Sequence, residues 1–319
     1  MNLSNQIKDK ASELGFAKTG IAAADALDAE AANLHQWLTR GLNADMTWME
    51  ANLEKRTDPR VLFPGARSIV VVAQNYFTDH KHDEAEGRGK ISRYAWGDDY
   101  HDVVHEKLKE LLAWIKVIEP SADGKICVDT VPMMDKAWAV RAGIGWLGKH
   151  SNVITTEIGS WIFIGSIILN IDLEYGQETV VDHCGTCTAC LDACPTSAII
   201  EPYIVDSKKC ISYATIELRG ESLPREIAEH QDGWLYGCDI CQDVCPWNRF
   251  EKQTDETRFE PRENETSLVL DSVITMTHDE YVERFRRSAM KRSKLGGLKR
   301  NARSIKITSQ ETFNGISNI

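Results

Sequence analysis

Seven of the nine cysteines in this 319-residue chain crowd into two short runs. The first reads Cys184-Gly-Thr-Cys187-Thr-Ala-Cys190-Leu-Asp-Ala-Cys194-Pro195, the second Cys238-Asp-Ile-Cys241-Gln-Asp-Val-Cys245-Pro246. The first has the C-x2-C-x2-C-x3-C-P spacing of a cubane iron–sulfur site, in which three cysteines in a looping stretch wrap one cube. The second is the same pattern without its leading cysteine, a deficit that the isolated Cys210 makes up. The sum is eight thiolates, the number that two [4Fe–4S] clusters require. In two-cluster ferredoxin modules the fourth cysteine of each run ligates the other cluster. On that rule Cys184, Cys187, Cys190 and Cys245 hold one cube, while Cys194, Cys210, Cys238 and Cys241 hold the other. Two cubes linked in this way lie close together and relay single electrons. Zinc ribbons use paired C-x2-C and fit the first run poorly. A disulfide framework does not suit so long a chain without a signal peptide. Cys127, in the strand-like stretch Lys125-Ile-Cys127-Val-Asp-Thr-Val, reads as a buried structural thiol.

The length allows roughly two domains and a sizeable core. No stretch approaches the ~20 apolar residues of a membrane span. The N-terminus, Met1-Asn-Leu-Ser-Asn-Gln-Ile-Lys, lacks an apolar signal core, so a reducing cytoplasm is expected. The net charge of −11 conceals an asymmetry. Ten of the 37 basic residues, and none of the 48 acidic ones, lie between Arg284 and Lys306. A basic segment focused on an acidic chain points to a polyanionic partner, nucleic acid first. Phe285, Met290, Leu295 and Leu298, with the Gly296-Gly297 break, mark it as an ordered docking element rather than a loose tail.

Periodicity predicts helices over 5–14, 29–40 and 99–118, the last with Val103, Val104, Leu108, Leu111, Leu112 and Ile115 on one face. Buried strands are predicted at 68–73, 126–131 and 161–169, with a short helix at 136–142 and a helical insert near 208–230. The mixture is α+β. Gly143-Ile-Gly145-Trp-Leu-Gly148 spells G-x-G-x-x-G, but it follows a helix rather than a strand, so a dinucleotide site is not expected. No flavin, pterin or cobalt-ligating D-x-H-x-x-G pattern appears. Composition and spacing stop at an iron–sulfur redox enzyme with a polyanionic partner.

Longer motifs go further. The stretch Asp129-Thr-Val-Pro132-Met-Met-Asp135-Lys-Ala-Trp-Ala-Val-Arg141-Ala-Gly-Ile-Gly-Trp-Leu-Gly-Lys149, followed by the cysteine runs, resembles the epoxyqueuosine reductases. The resemblance extends to Lys55–Arg60, Arg93–His101, Cys210-Ile-Ser212-Tyr213 and Phe285–Asn301, and spans nearly the whole chain. It implies a nitroreductase-like cobalamin-binding domain over 1–175, a bacterial two-cluster ferredoxin-like domain over 176–255 with a helical insert, and a basic tRNA-contacting segment over 256–319. It also implies the cofactors cobalamin and two [4Fe–4S] clusters. The reaction would be reduction of epoxyqueuosine to queuosine at the wobble position of a tRNA with a GUN-type anticodon, fed by a low-potential electron donor. Many members continue into a helical-repeat tail. This chain stops at residue 319, so contacts from such a tail are not expected. A monomer is expected.

The resemblance assigns roles as well. Asp135 matches the proton donor; by position alone it would read as the N-cap of the following helix. A carboxyl group in a dry pocket serves as an acid when burial raises its pKa. Tyr100 and His101 match residues near the substrate pocket, though they also simply open the 99–118 helix. Arg56, Tyr94 and Ser212 match cobalamin contacts, while Arg56 and Arg60 could equally form structural ion pairs. Lys291, Arg292, Lys299 and Arg300 are expected to bind tRNA backbone, and a single-stranded anticodon loop is the part of tRNA whose bases splay into a pocket. Two other readings stand beside this one. A reductive dehalogenase-like enzyme would use the same cofactors on a small organohalide, but would not need the basic segment. A ferredoxin-type electron carrier would bind no cobalamin.

Overall fold

The structure, a computed structural model, describes residues 2–176 and 180–316. Its first part runs α1 (Leu3–Glu13), β1 (Lys18–Ala23), α2 (Asp28–Thr39), α3 (Leu53–Thr57), α4 (Pro59–Leu62), β2 (Ser68–Asn75), β3 (Arg88–Ile91), α5 (Tyr100–Ile118), β4 (Gly124–Cys127), α6 (Asp135–Arg141), β5 (Trp146–Leu147), β6 (Val153–Ile154) and β7 (Ile162–Leu169). Four strands form an antiparallel sheet in the order β1-β2-β7-β4. Every residue of β2 is buried, which explains its run of β-branched side chains.

Alternation along the strands feeds two cores. Val70 and Val72, with Ile167 and Leu169 of β7, pack against Ile7 and Ala11 of α1 and Val104, Leu108 and Leu111 of α5. Ile69, Val71 and Ala73 face the other way, against Trp138 and Ala139 of α6. The amphipathic α5 is started by Asp99, whose side chain accepts from the His101 amide. It lies close on β7 because Gly165 has no side chain: a Cβ there would sit 2.7 Å from Val104 Cγ1. Each fully buried aliphatic side chain in this layer contributes roughly 1.5–3 kcal/mol.

The remaining elements are α7 (Ala189–Ala193), β8 (Ile199–Glu201), β9 (Ile204–Val205), α8 (Ile211–Ile216), α9 (Arg225–Glu229), β10 (Trp234–Tyr236), α10 (Ile240–Asp243), β11 (Ser267–Val269), α11 (Leu270–Thr275), α12 (His278–Arg284) and α13 (Lys294–Ile316). A second sheet has the order β10-β3-β11, with β10 parallel and β11 antiparallel to β3. It takes one strand from each of the three stretches that the sequence separates at 175 and 255. Its core joins Ile91 and Trp96 to Leu235, Leu268, Phe285, Met290 and Leu298. The basic segment is thus ordered and packed.

One local expectation needs correction. The strand predicted over 126–131 ends at Cys127, because Asp129 takes a left-handed backbone with φ of 50°. The insert near 208–230 carries two short helices, α8 and α9. The G-x-G-x-x-G stretch follows α6 and runs into the β5–β6 hairpin.

Candidate functional site

The cysteine runs fold into short turns that set neighbouring thiols at different angles. Cys190 lies on α7 and Cys241 on α10; Cys194 and Cys245 follow these helices, each held before a proline. Cys210 stands at the N-cap of α8. The thiols gather in two groups. Burial pushes the Cys190 thiol up to about 11, with Cys245, Cys184 and Cys187 pushing the same way. Cys245 is raised by burial and then by Cys184 and Cys187. In the other group, burial raises Cys241, helped by Cys210, Asp239, Cys194 and Cys190. Burial raises Cys238, helped by Cys210 and Cys241. Crowded thiols repel as they ionise, and bound iron removes that cost, so the donor set fits cluster binding. Among the described residues no group of three or more Cys, His, Asp or Glu converges on a single ion.

Side chains from elsewhere brace these turns. Lys149 Nζ donates to the carbonyls of Gly185 (2.6 Å) and Cys187 (2.9 Å). The Ala198 amide donates to Cys194 Sγ at 3.2 Å. Trp146 and Trp247 pack edge to face beside Cys184 and Cys245.

Asp135 opens α6, with Met134 rather than Asp135 at the N-cap position. The capping role is therefore not the one its side chain plays. Its Oδ1 is occluded and has no hydrogen-bond partner. Burial, then the nearby Asp129 carboxylate, pushes its pKa up to about 8, against the pull of Arg56 and Lys136. The acid therefore keeps its proton at neutral pH. Lys136, the next residue, lies within electrostatic reach of Asp129, Cys241, Asp135 and Cys210, so one cysteine group adjoins the acid. Cys127 is fully buried; burial pushes it up to about 12, with Asp135 adding to the rise.

The other site residues expected from sequence divide. Tyr100 donates to Asp129 Oδ2 at 2.6 Å, and its ring stacks on His101 at 4.0 Å between centroids. His101 Nδ1 is hydrogen-bonded to Asp99 at 2.6 Å. Arg56 is buried and donates to the carbonyls of Trp48 (2.9 Å) and Ala51 (3.3 Å), while its charge acts on Asp135 and Asp129. It is Arg60 that forms an ion pair, with Asp58 at 2.9 Å. Tyr94 donates to Tyr236, which donates in turn to the Ala289 carbonyl. Ser212 sits on α8 beside Cys210, and its amide hydrogen-bonds the Cys210 thiol.

In the basic segment, Lys291 and Lys299 are partly exposed, and Arg292 forms a two-pronged pair with Glu217 (2.7 and 2.8 Å). Arg300 must be corrected. It is only 5% exposed and donates to the carbonyls of Ala214, Leu218 and Gly220. Those bonds use the guanidinium to fasten α13 to α8 and the turn that follows it, which leaves it unavailable to phosphate. Sequence reading missed Asp129 and Lys149 as site residues although both stand in quoted motifs. It also missed Trp48, for which no spacing gives a signal.

Comparison with known proteins matches this geometry to a family. The family model described as epoxyqueuosine reductase QueG, DUF1730, matches residues 56–130. A 4Fe-4S double cluster binding domain matches residues 183–248. The epoxyqueuosine reductase of Cellulophaga algicola is 47% identical over 93% of this chain and 96% of its own length. That of Synechocystis is 49% identical over 87% and 95%. A crystal structure of epoxyqueuosine reductase with an epoxyqueuosine-modified tRNA-Tyr stem loop superimposes with a TM-score of 0.89 at 33% identity, covering 96% of this chain and 81% of that one. The Bacillus subtilis enzyme, solved with its catalytic aspartate loop swung out of the active site, gives 0.88 at 31% identity over 96% and 81%. The chain belongs to the epoxyqueuosine reductases.

Proposed function

We propose that this protein reduces epoxyqueuosine to queuosine at the wobble position of tRNAs with GUN-type anticodons, with Asp135 as the proton donor. The observation that carries the reading is the unpaired, occluded Oδ1 of Asp135 next to a redox-type cysteine group. Reduction of an epoxide to an alkene takes two electrons and two protons and releases water. Asp135, protonated at neutral pH because burial lifts its pKa to about 8, gives a proton to the oxygen as its C–O bond opens. Asp129 keeps that proton in place by making a second negative charge unfavourable. Arg56 balances the charge that remains once the proton has left.

The unpaired carboxyl oxygen and the polar wall of Tyr100, His101 and Arg56 fit a large polar group such as cobalamin, with Tyr94 and Ser212 as further contacts. Bound there, cobalamin would supply the low-potential two-electron chemistry, and clusters on the eight cysteines would refill it one electron at a time. A low-potential donor would supply the clusters. Lys291, Arg292 and Lys299 would meet tRNA phosphates. No described helix is long and apolar enough to cross a membrane; we place the enzyme in the cytoplasm as a monomer. Relatives at 47% and 49% identity are epoxyqueuosine reductases, which favours neither a dehalogenase nor a lone electron carrier.

The test is anaerobic. The clusters are reconstituted, cobalamin, a low-potential reductant and epoxyqueuosine-bearing tRNA are added, and the digested nucleosides are resolved by mass spectrometry. Loss of one oxygen that requires both cobalamin and Asp135 is expected. Bound, reducible cobalamin with no conversion would overturn the substrate assignment.

A further inference from the structure

Trp48 is a large apolar side chain, 45% exposed, on a 3-10 turn (Thr47–Met49) between α2 and α3. Its exposure is not slackness. Arg56 holds the turn through the Trp48 carbonyl at 2.9 Å. Two guanidiniums lie against the indole, Arg56 at 5.4 Å and Arg292 at 5.9 Å from the ring centroid. Arg292 is itself held in place by its two-pronged pair with Glu217. The turn belongs to the first part of the chain and Arg292 to the basic segment, so the two meet only in the tertiary fold. Both arginines also face the reaction centre: the charge of Arg56 acts on Asp135 and Asp129, and that of Arg292 on Asp129.

A fixed, half-exposed indole with guanidiniums over its ring, at the border of a site, is the kind of surface on which nucleobases stack in single-stranded RNA. We propose that Trp48 is a stacking platform for an unpaired anticodon-loop base next to the modified one, with Arg56 and Arg292 steadying the indole. This rests on the tRNA-substrate reading above and names a positioning residue within it.

The test is fluorescence anisotropy on the cluster- and cobalamin-loaded enzyme, with a labelled anticodon stem-loop RNA and a fully paired duplex of equal length. Trp48→Ala and Trp48→Leu should weaken stem-loop binding about 5- to 150-fold, the range of one base stack, while leaving the slope of log K against log salt unchanged. Trp48→Phe should stay within about threefold of wild type. Duplex binding should be indifferent to all three. Unchanged thermal midpoints and unchanged cobalamin absorbance separate these losses from misfolding. Wild-type-like stem-loop binding by Trp48→Ala, equal loss for stem-loop and duplex, or displaced cobalamin in place of lost RNA would each overturn the platform. If wild type binds the stem-loop through Trp48 but does not reduce it, the platform stands and the catalytic reading falls.

Discussion

Tyr100 donates its phenolic hydrogen to Asp129 across 2.6 Å, tying the first turn of α5 to the loop that delivers Asp135. Asp129 sits there with a left-handed φ of 50°, and its negative charge is the second cause, after burial, of the raised Asp135 pKa. One hydrogen bond thus orients the carboxylate that keeps the acid protonated.

Removing that bond should loosen the loop without emptying the site. Tyr100→Phe is expected to cost about 1 kcal/mol of stability, the usual worth of one hydrogen bond. It should also lower kcat several-fold. Asp129→Asn, which removes the charge, should move the alkaline limb of the pH–rate profile to lower pH. An unmoved limb would show that Asp129 does not set the acid's pKa.

The titration of Asp135 has a definite sign. Its folded pKa of about 8 lies above the ordinary carboxylate value of 3.8. The protonated acid therefore favours the folded state fully below pH ~4, and this contribution is lost as pH rises towards 8. Turnover should fall above about pH 8 as the donor loses its proton. Asp135→Asn should lower kcat about 100-fold or more and abolish that limb. The same variant should flatten thermal stability between pH 5 and 8, measured by calorimetry.

Lys149 bridges the carbonyls of Gly185 and Cys187 inside the first cysteine run. Lys149→Met should leave those carbonyls without their charged donor and let the loop open. Iron content after reconstitution is expected to drop from about eight per chain towards four. The visible absorbance of the clusters should fall in step. Full iron loading in the variant would mean that the cysteines hold the loop unaided.

Arg300 and Lys299 are neighbours with opposite expectations. Arg300→Ala strands the buried Ala214 carbonyl and frees those of Leu218 and Gly220, and should destabilise the fold by about 1–3 kcal/mol, seen as a lower thermal midpoint. Lys299→Ala should leave the midpoint unchanged. It should reduce the salt slope of tRNA binding by about one. Matching behaviour of the two variants would contradict the division drawn between clamp and contact.

Much of this was legible in the chain because it depends on local spacing. The cysteine runs carry their ligands within a few residues of one another. The α5 pattern needs only the 3.6-residue period, and the all-buried β2 announces itself as a β-branched run. What escaped was set by distance. Nothing local separates Arg300, spent on carbonyls of α8 and the turn after it, from Lys299, because a basic residue in a basic segment reads as exposed until its partners are known. Asp129 read as a strand residue because a left-handed turn leaves no period to detect.

The sequence by itself determined the redox cofactor class, the main helices and strands, and, through motif resemblance, the family. Tertiary structure alone decided that β3, β10 and β11 share one sheet, that the Oδ1 of Asp135 is left unpaired near Asp129, and that Arg56 and Arg292 both lie against Trp48. The physical reason is that burial and electrostatic coupling depend on what surrounds a side chain in space. Residues brought together across the whole length of the chain supply those surroundings.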